Sequence, residues 1–404
     1  MTAPAPNRRG FLGGAAALLL APGATALTVP GVARAAENRG GSRTFTHPGL
    51  LHGAADLARM KAAVAAGESP VHDGFSALAA SPRSSSAYTV RNTGQITSWG
   101  RGPARFMNEA VADSAAAYQN ALMWCVTGDR AHADKARDIL DAWSASLTAI
   151  TGTDGPLGAG LQAFLFVNAA ELLRHTGYDG WDTAAVARCE ESFLRVWYPA
   201  VSGYMLYANG NWDLTAVQTV LAIGVFCEEP TLFEDALRYA AAGAGNGSVR
   251  HRVVTAAGQG QESGRDQGHE QLAVGLLGDA AQVAWNQGVD LWGFDGNRIL
   301  ANVEYAARYN LGDAVPFSPD LDRTGKYLKT AVSEKARGTL PPIYERAYAH
   351  YAGVRGLATP HTQRAVFRGP GGARAVEGGN DDLPGWGTLT HAGATASPAA
   401  PTAP

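Results

Sequence analysis

The sequence predicts an all-α chain folded as an α/α toroid, an incomplete barrel of helical hairpins. Three observations predict it. Apolar residues recur at helical spacing in one segment after another. No strongly alternating strand pattern occurs before about Gln363. The hairpins also vary in length and lack the fixed-period self-similarity of an open solenoid, the other architecture that serial hairpins allow.

Taken in order, "HGAADLARMKAAVAAG" places Leu57, Met60 and Val64 on one helical stripe that ends at Gly67. "FMNEAVADSAAAYQNALMWCVTGD" carries Val111, Ala115, Tyr118, Leu122 and Cys125 at helical spacing and stops at Gly128. "RAHADKARDILDAWSASL" follows with Ala136, Ile139, Leu140, Trp143 and Leu147, so the two read as a helical hairpin. Further helices are expected in "GLQAFLFVNAAELLRHTG", "DTAAVARCEESFLRVWYPAV", "WDLTAVQTVLAIGVFC" and "TLFEDALRYAAAG". The series ends with the stretch running to Gly288, then "NRILANVEYAARYNLG" and "LPPIYERAYAHYAG". The toroid is thus assigned to residues 44–360, and 361–404 to an irregular C-terminal segment whose tail, "ATASPAAPTAP", is of low complexity.

Residues 1–35 read as a cleavable export signal. Arg8-Arg9 precede an apolar run, and Ala33-Arg34-Ala35 supplies a small-x-small cleavage site. The adjacent arginines point to the twin-arginine route. No later apolar run is expected to span a bilayer, so the mature chain is expected outside the cytoplasm and free of the membrane. It carries 30 basic against 36 acidic side chains once Arg8, Arg9 and Arg34 are removed, a formal −6. With no basic run in the body, nucleic acid is not an expected partner, and an anionic substrate needs a local cationic cluster. Cys125, Cys189 and Cys227 lie in apolar helical surroundings and read as buried free thiols. No CxxC or HExxH spacing occurs, so neither a structural zinc site nor any other cofactor is expected; nothing specifies the oligomeric state.

Three clusters are candidates for chemistry. In "GQGQESGRDQGHEQ", a helical wheel puts Gln261, Glu262, Arg265 and His269 on one face, and Ser263 with Asp266 has the spacing of a capping box. The cluster is either a helix start with a surface salt bridge between Glu262 and Arg265 or a site of densely placed titratable groups. Gly264 and Gly268 leave room for a neighbour or a substrate chain. In "YANGNWDLTAVQ", Asn211 either caps the helix or hydrogen-bonds a carboxylate, with Asn209 beside it and Trp212 offering a flat face to a sugar. In "NVEYAARYNLGD", Tyr305 and Tyr309 share a face with Arg298 and Asn302, which leaves a phenol either in the core or facing a groove. Trp99, Arg101 and Arg105 add cationic groups on a Gly-rich loop.

"HPGLLHGAADLARMKAAV", "NGNWD", "QESGRDQGHEQ", "WNQGVDLWGFDGNRIL" and "EYAARYNLGDAVPF" together resemble the alginate lyase superfamily, closest to exported alginate- and glucuronan-lyase-like proteins. The resemblance runs from about His47 to His350 and implies β-elimination on an anionic, uronic-acid polysaccharide. The Asn-Asn-His triplet of the classical alginate lyases is replaced by Asn209-Gly210-Asn211-Trp212. Elimination requires neutralising the uronate carboxylate, which suits Asn211 and Arg265 with Gln261. It also requires a base, for which neutral His269 is the candidate, and an acid for the leaving oxygen, for which Tyr305 or Tyr309 is. No metal is needed where amides and an arginine neutralise the charge. The alternatives are a glycoside hydrolase using paired carboxylates such as Asp213 and Glu262, and a non-catalytic helical binding module.

Overall fold

The computed structural model describes residues 43–395. The expected export signal and most of the low-complexity tail lie outside the described residues.

The first two helices, α1 (Ala54–Ala65) and α2 (Val71–Ala79), precede the hairpin read from the sequence, α3 (Met107–Thr127) and α4 (Arg130–Ser146). The turn between them needs Gly128, whose φ of 74° lies in the left-handed region. Asp129 then caps α4 by accepting from the Ala131 amide at 3.0 Å. Next come α5 (Gly155–His175) and α6 (Thr183–Ser192), the latter running on through a π-helical turn at Phe193–Trp197. The series continues with α7 (Gly210–Phe226), α8 (Pro230–Ala242), α9 (Gln267–Asn286) and α10 (Phe294–Asn310).

Helices α3, α5, α7 and α9 stand side by side, each packed on the next, and form the inner layer. Their sequences are apolar or small almost all round, as a helix covered on every side requires; in α7 every residue but Trp212 is buried. Helices α4, α8 and α10 back α3, α7 and α9 from outside, and α6 packs on α4. Inner helices approach closely where glycine allows it: a Cβ on Gly160 of α5 would lie 2.3 Å from Thr215 Oγ1 of α7. Thr219 Oγ1 donates to the Gly160 carbonyl at 2.6 Å across the same contact. Contrary to the expectation that no later run could span a bilayer, α5 is long and apolar enough to do so; 94% of that window is buried in the core.

The ring is closed by the two ends of the chain. After α11 (Tyr344–Tyr348) and its π-helical extension Ala349–Val354 come α12 (Pro360–Val366) and the short α13 (Gly387–Thr390). Helix α13 packs against α2 and α1. Arg59 of α1 donates to the carbonyls of Ala392, at 2.7 Å, and Thr390. The residues after 360 are thus partly helical and built into the ring.

Four strands occur among the described residues, in two pairs. β1 (Ser98–Gly100) and β2 (Ala149–Thr151) are parallel; β3 (Asp320–Leu321) and β4 (Leu328–Lys329) are antiparallel. At two or three residues each they are too short to show alternation in sequence. Two helix starts differ from expectation. Asp295, Gly296 and Asn297 have positive φ, so regular α10 begins near Arg298. Residues 258–266 are not helical, and α9 starts at Gln267.

Candidate active site

The N-terminal end of α7 is where the polar clusters meet. A helix start leaves backbone N–H groups without partners, and in α7 the Asn209 side chain makes no capping bond. The partners come from the segment before α9. Gln261 Oε1 accepts from the Gly210 amide at 3.1 Å, and Glu262 Oε2 from the Asn211 amide at 2.8 Å. Gln261 Nε2 donates back to Asn209 Oδ1 at 3.0 Å. One loop therefore caps the helix of another hairpin and holds the two clusters in register.

From that anchor a polar chain runs to the surface. Buried Glu262 accepts from Arg265 Nη1 at 2.7 Å through its other oxygen. Arg265 Nη1 also lies 3.4 Å from Asn211 Oδ1, which turns the Asn211 amide N–H₂ away from the guanidinium. Arg265 Nη2 is 3.1 Å from His269 Nε2. On the other side of the imidazole, Nδ1 is 2.7 Å from Asp266 Oδ2 and 2.9 Å from Oδ1. Asp266 is also the N-cap of α9, accepting from the His269 amide at 2.9 Å.

The electrostatics assign the protons. Burial works to raise Asp266, but the bonds from His269 and the charge of Arg265 outweigh it and hold the carboxyl below its usual range. When Asp266 accepts Nδ1–H, Nε2 of the imidazole is left to accept from the guanidinium. Desolvation pushes Glu262 up to about 7, against the lowering charges of Arg252 and Arg265. The chain is open to solvent at one end: the His269 side chain is 38% exposed and that of Arg265 26%, whereas Glu262 is fully covered.

Burial raises the Asp382 carboxyl of the C-terminal segment, against the lowering charges of Arg101 and His269. Trp212 is half-buried at the rim, and Tyr207, 50% exposed, meets it edge to face with ring centroids 6.4 Å apart.

Several expectations are corrected. Arg265 and His269 meet because the loop folds back onto α9, not because they share a helical face. Asp266, not Ser263, caps α9; Ser263 Oγ instead accepts from the Gly260 amide at 3.0 Å. Asn211 is not the cap of α7. Gln261 and Glu262 are spent on the α7 end, and Asn209 gives its Oδ1 to Gln261; all three are buried, as is Asn211. Trp99 is fully buried against Trp197 and Gly158, because the indole fills the space that glycine leaves. Gly264 gives room to Lys329 and Ala331 of the chain itself.

The phenols also depart from expectation. Tyr305 is buried and donates to the Pro316 carbonyl at 2.8 Å. Tyr309 donates to Glu334 at 2.7 Å under the Arg337 guanidinium, 4.0 Å above its ring. Neither is hydrogen-bonded to Asn211, Arg265 or His269. Asp213, proposed with Glu262 as a carboxylate pair, is buried and accepts from the Met205 and Gly247 amides and from Tyr239, so the pair is structural. Sequence reasoning passed over Asp266 as the orienting group, Tyr207 at the rim and Asp382. The spacing of Asp266 to His269 was the one available signal; Asp382 sits more than a hundred residues from its neighbours and left none.

The α/α toroid holds an imidazole, a guanidinium and an amide together at one end of α7, and the family match makes the chain a polysaccharide lyase of the toroid class. The chain belongs to the alginate lyase family, whose model, described as Alginate lyase, matches residues 66–317. Among solved structures, a variant of alginate lyase A1-III complexed with tetrasaccharide is similar over 83% of this chain and 94% of its own, at 15% identity and a TM-score of 0.58. Alginate lyase A1-III from Sphingomonas species A1 has the same coverage at 16% identity and a TM-score of 0.56. At these identities the likeness carries the fold. No curated protein matches the chain in sequence.

Proposed function

We propose that this lyase cleaves a uronic-acid polymer of the alginate or glucuronan type by β-elimination without a metal, with His269 as the proton-transfer group. The observation that carries the proposal is the Asp266–His269–Arg265–Asn211 chain. A uronate carboxylate entering the groove takes Arg265 and the Asn211 amide as donors, which neutralises its charge and acidifies the C5–H bond. Turning the guanidinium to the substrate frees Nε2 of His269. Nε2 accepts the C5 proton, the C4–C5 double bond forms, and the C4–O bond breaks. The imidazolium, stabilised by Asp266, returns that proton to the departing oxygen. Tyr207 and Trp212 offer the sugar an aromatic rim, and Arg101 offers a second cation. The solved tetrasaccharide complex of a protein with the same fold supports an oligosaccharide lying in this groove. The signal-like N-terminus supports export by the twin-arginine route.

The test is ultraviolet absorbance of product across purified polyuronates, for the wild type and His269→Ala. The wild type is expected to release an unsaturated uronate from at least one polymer, and the variant to lose ~10²–10⁴-fold in kcat. New reducing ends without ultraviolet absorbance would establish a hydrolase and overturn the reading.

A further inference from the structure

A second cluster of ligating side chains lies at the other end of the inner helices. Glu171 and His175, four apart in the last turns of α5, meet His47 of the segment before α1; their ligating atoms all lie within 4.8 Å of one another. His47 Nδ1 is 2.8 Å from Glu171 Oε1, and His175 Nε2 is 3.7 Å from Glu171 Oε2. The two imidazoles stack with centroids 4.2 Å apart.

From this arrangement we propose that His47, Glu171 and His175 form a zinc-type divalent metal site, separate from the catalytic groove, that staples the N-terminal segment to the inner helices. Glu171 is 1% exposed, yet its Oε2 has no hydrogen-bond partner, and neither has His175 Nε2, which is aimed at it. A buried carboxylate oxygen left open beside an imidazole nitrogen costs free energy unless something fills the gap. Ligand atoms on tetrahedral zinc stand roughly 3.3 Å apart, given bonds of about 2.0–2.1 Å; here His47 Nδ1 lies 2.8 Å from one Glu171 oxygen and His175 Nε2 3.7 Å from the other. Two imidazoles and one carboxylate select zinc over calcium or magnesium, and three protein ligands leave a fourth position for water.

The surroundings are those of a ligand set. Glu228 Oε1 is 2.8 Å from His47 Nε2, on the side of the ring away from Glu171. A carboxylate holding that N–H leaves Nδ1 to ligate. Gly49 N–H donates to Glu171 Oε1 at 2.9 Å and fixes its orientation. The His47 and His175 side chains, 13% and 24% exposed, leave a route in from solvent. Metal entry displaces the Nδ1 proton of His47 to solvent. Glu228 follows the C-terminal end of α7, whereas Asn211 opens it, so about 25 Å of helix separates this cluster from the groove.

The test is calorimetric titration of Zn²⁺ into chelator-stripped mature chain, with Co²⁺ as a spectroscopic substitute. One Zn²⁺ per chain, a raised melting temperature and four-coordinate Co²⁺ absorption are expected. His175→Gln and His47→Gln should abolish all three while circular dichroism stays that of the wild type, and Glu228→Gln should weaken binding ~10–100-fold. The elimination rate should not respond to Zn²⁺ in any of them. No binding by the stripped wild type, or unchanged stoichiometry in both histidine variants, overturns the site. A rate that rises with Zn²⁺ overturns its separation from the groove.

Discussion

The proposed role of His269 as a base at Nε2 rests on Asp266 holding the proton on Nδ1, and this division of labour is open to a single substitution. Asn is as good a helix N-cap as Asp, so Asp266→Asn should keep the start of α9 and the melting temperature. Its Oδ1 can still accept from the His269 amide and Nδ1–H, both 2.9 Å from Asp266 Oδ1, but the negative charge that stabilises an imidazolium is lost. The expected loss is about 10²–10⁴-fold in kcat with little change in KM. An unaltered kcat would show that Asp266 serves only as a cap. Because Tyr305 and Tyr309 are committed to Pro316 and Glu334, Tyr305→Phe and Tyr309→Phe should each retain kcat within a few-fold. A dead variant of either would move the proton transfer from His269 to that phenol.

Glu262 makes a different prediction at the same scale. Its folded-state pKa is raised by burial from 4.5 to about 7, so the stability tied to its neutral form is fully present below pH 4.5 and lost as pH rises through 7. Glu262→Gln removes that dependence. Its unfolding free energy should gain on the wild type by roughly 3 kcal/mol between pH 4.5 and 7, then level off. Denaturant unfolding at a series of pH values reads the slope, which the constant cost of losing the Arg265 bond does not affect. Parallel curves would mean that Glu262 does not change protonation over this range.

At the scale of the element, the inner helices depend on close backbone approach. Gly160→Ala places a methyl 2.3 Å from Thr215 Oγ1 and disturbs the Thr219 bond to the Gly160 carbonyl. Overpacking of this kind costs about 1–3 kcal/mol, which thermal unfolding would detect. The helices themselves were legible because apolar spacing, Gly128 and Asp129 all act within a few residues. The start of α9 was not. A helical wheel assumes helix, and at Gln261 and Glu262 the helical option loses to the unsatisfied amides of α7, a competitor more than fifty residues away.

On the scale of the whole molecule, the last hairpin of the ring is completed by the C-terminal segment. Leu383, Trp386 and Leu389 are buried, and Arg59 reaches from α1 to the carbonyls beyond α13. Removing residues 378–404 should therefore cost on the order of 5 kcal/mol from the burial of these three side chains alone. It should also lower turnover, because Asp382 leaves the neighbourhood of Arg101 and His269. A truncated chain with the wild-type melting temperature would show that the ring closes without this segment.

Short-range physics writes several features into the chain directly: serial helices, their caps and stops, an acidic balance with a local cationic cluster, and residue types suited to a uronate. Asn211, Arg265 and His269 were legible because their motifs are dense and polar beside apolar helices. Long-range packing decided which polar side chains stay open to solvent and which are consumed by the fold. Gln261 and Glu262 went to the open end of α7, Trp99 to the core, and Tyr305 and Tyr309 to carbonyl and carboxylate partners. It also decided that His47 meets Glu171 and His175, and that Asp382 feels the charges of Arg101 and His269. The reason is the same in each case. A buried polar group must find a partner, and the partner is chosen by proximity in space, which local spacing does not encode.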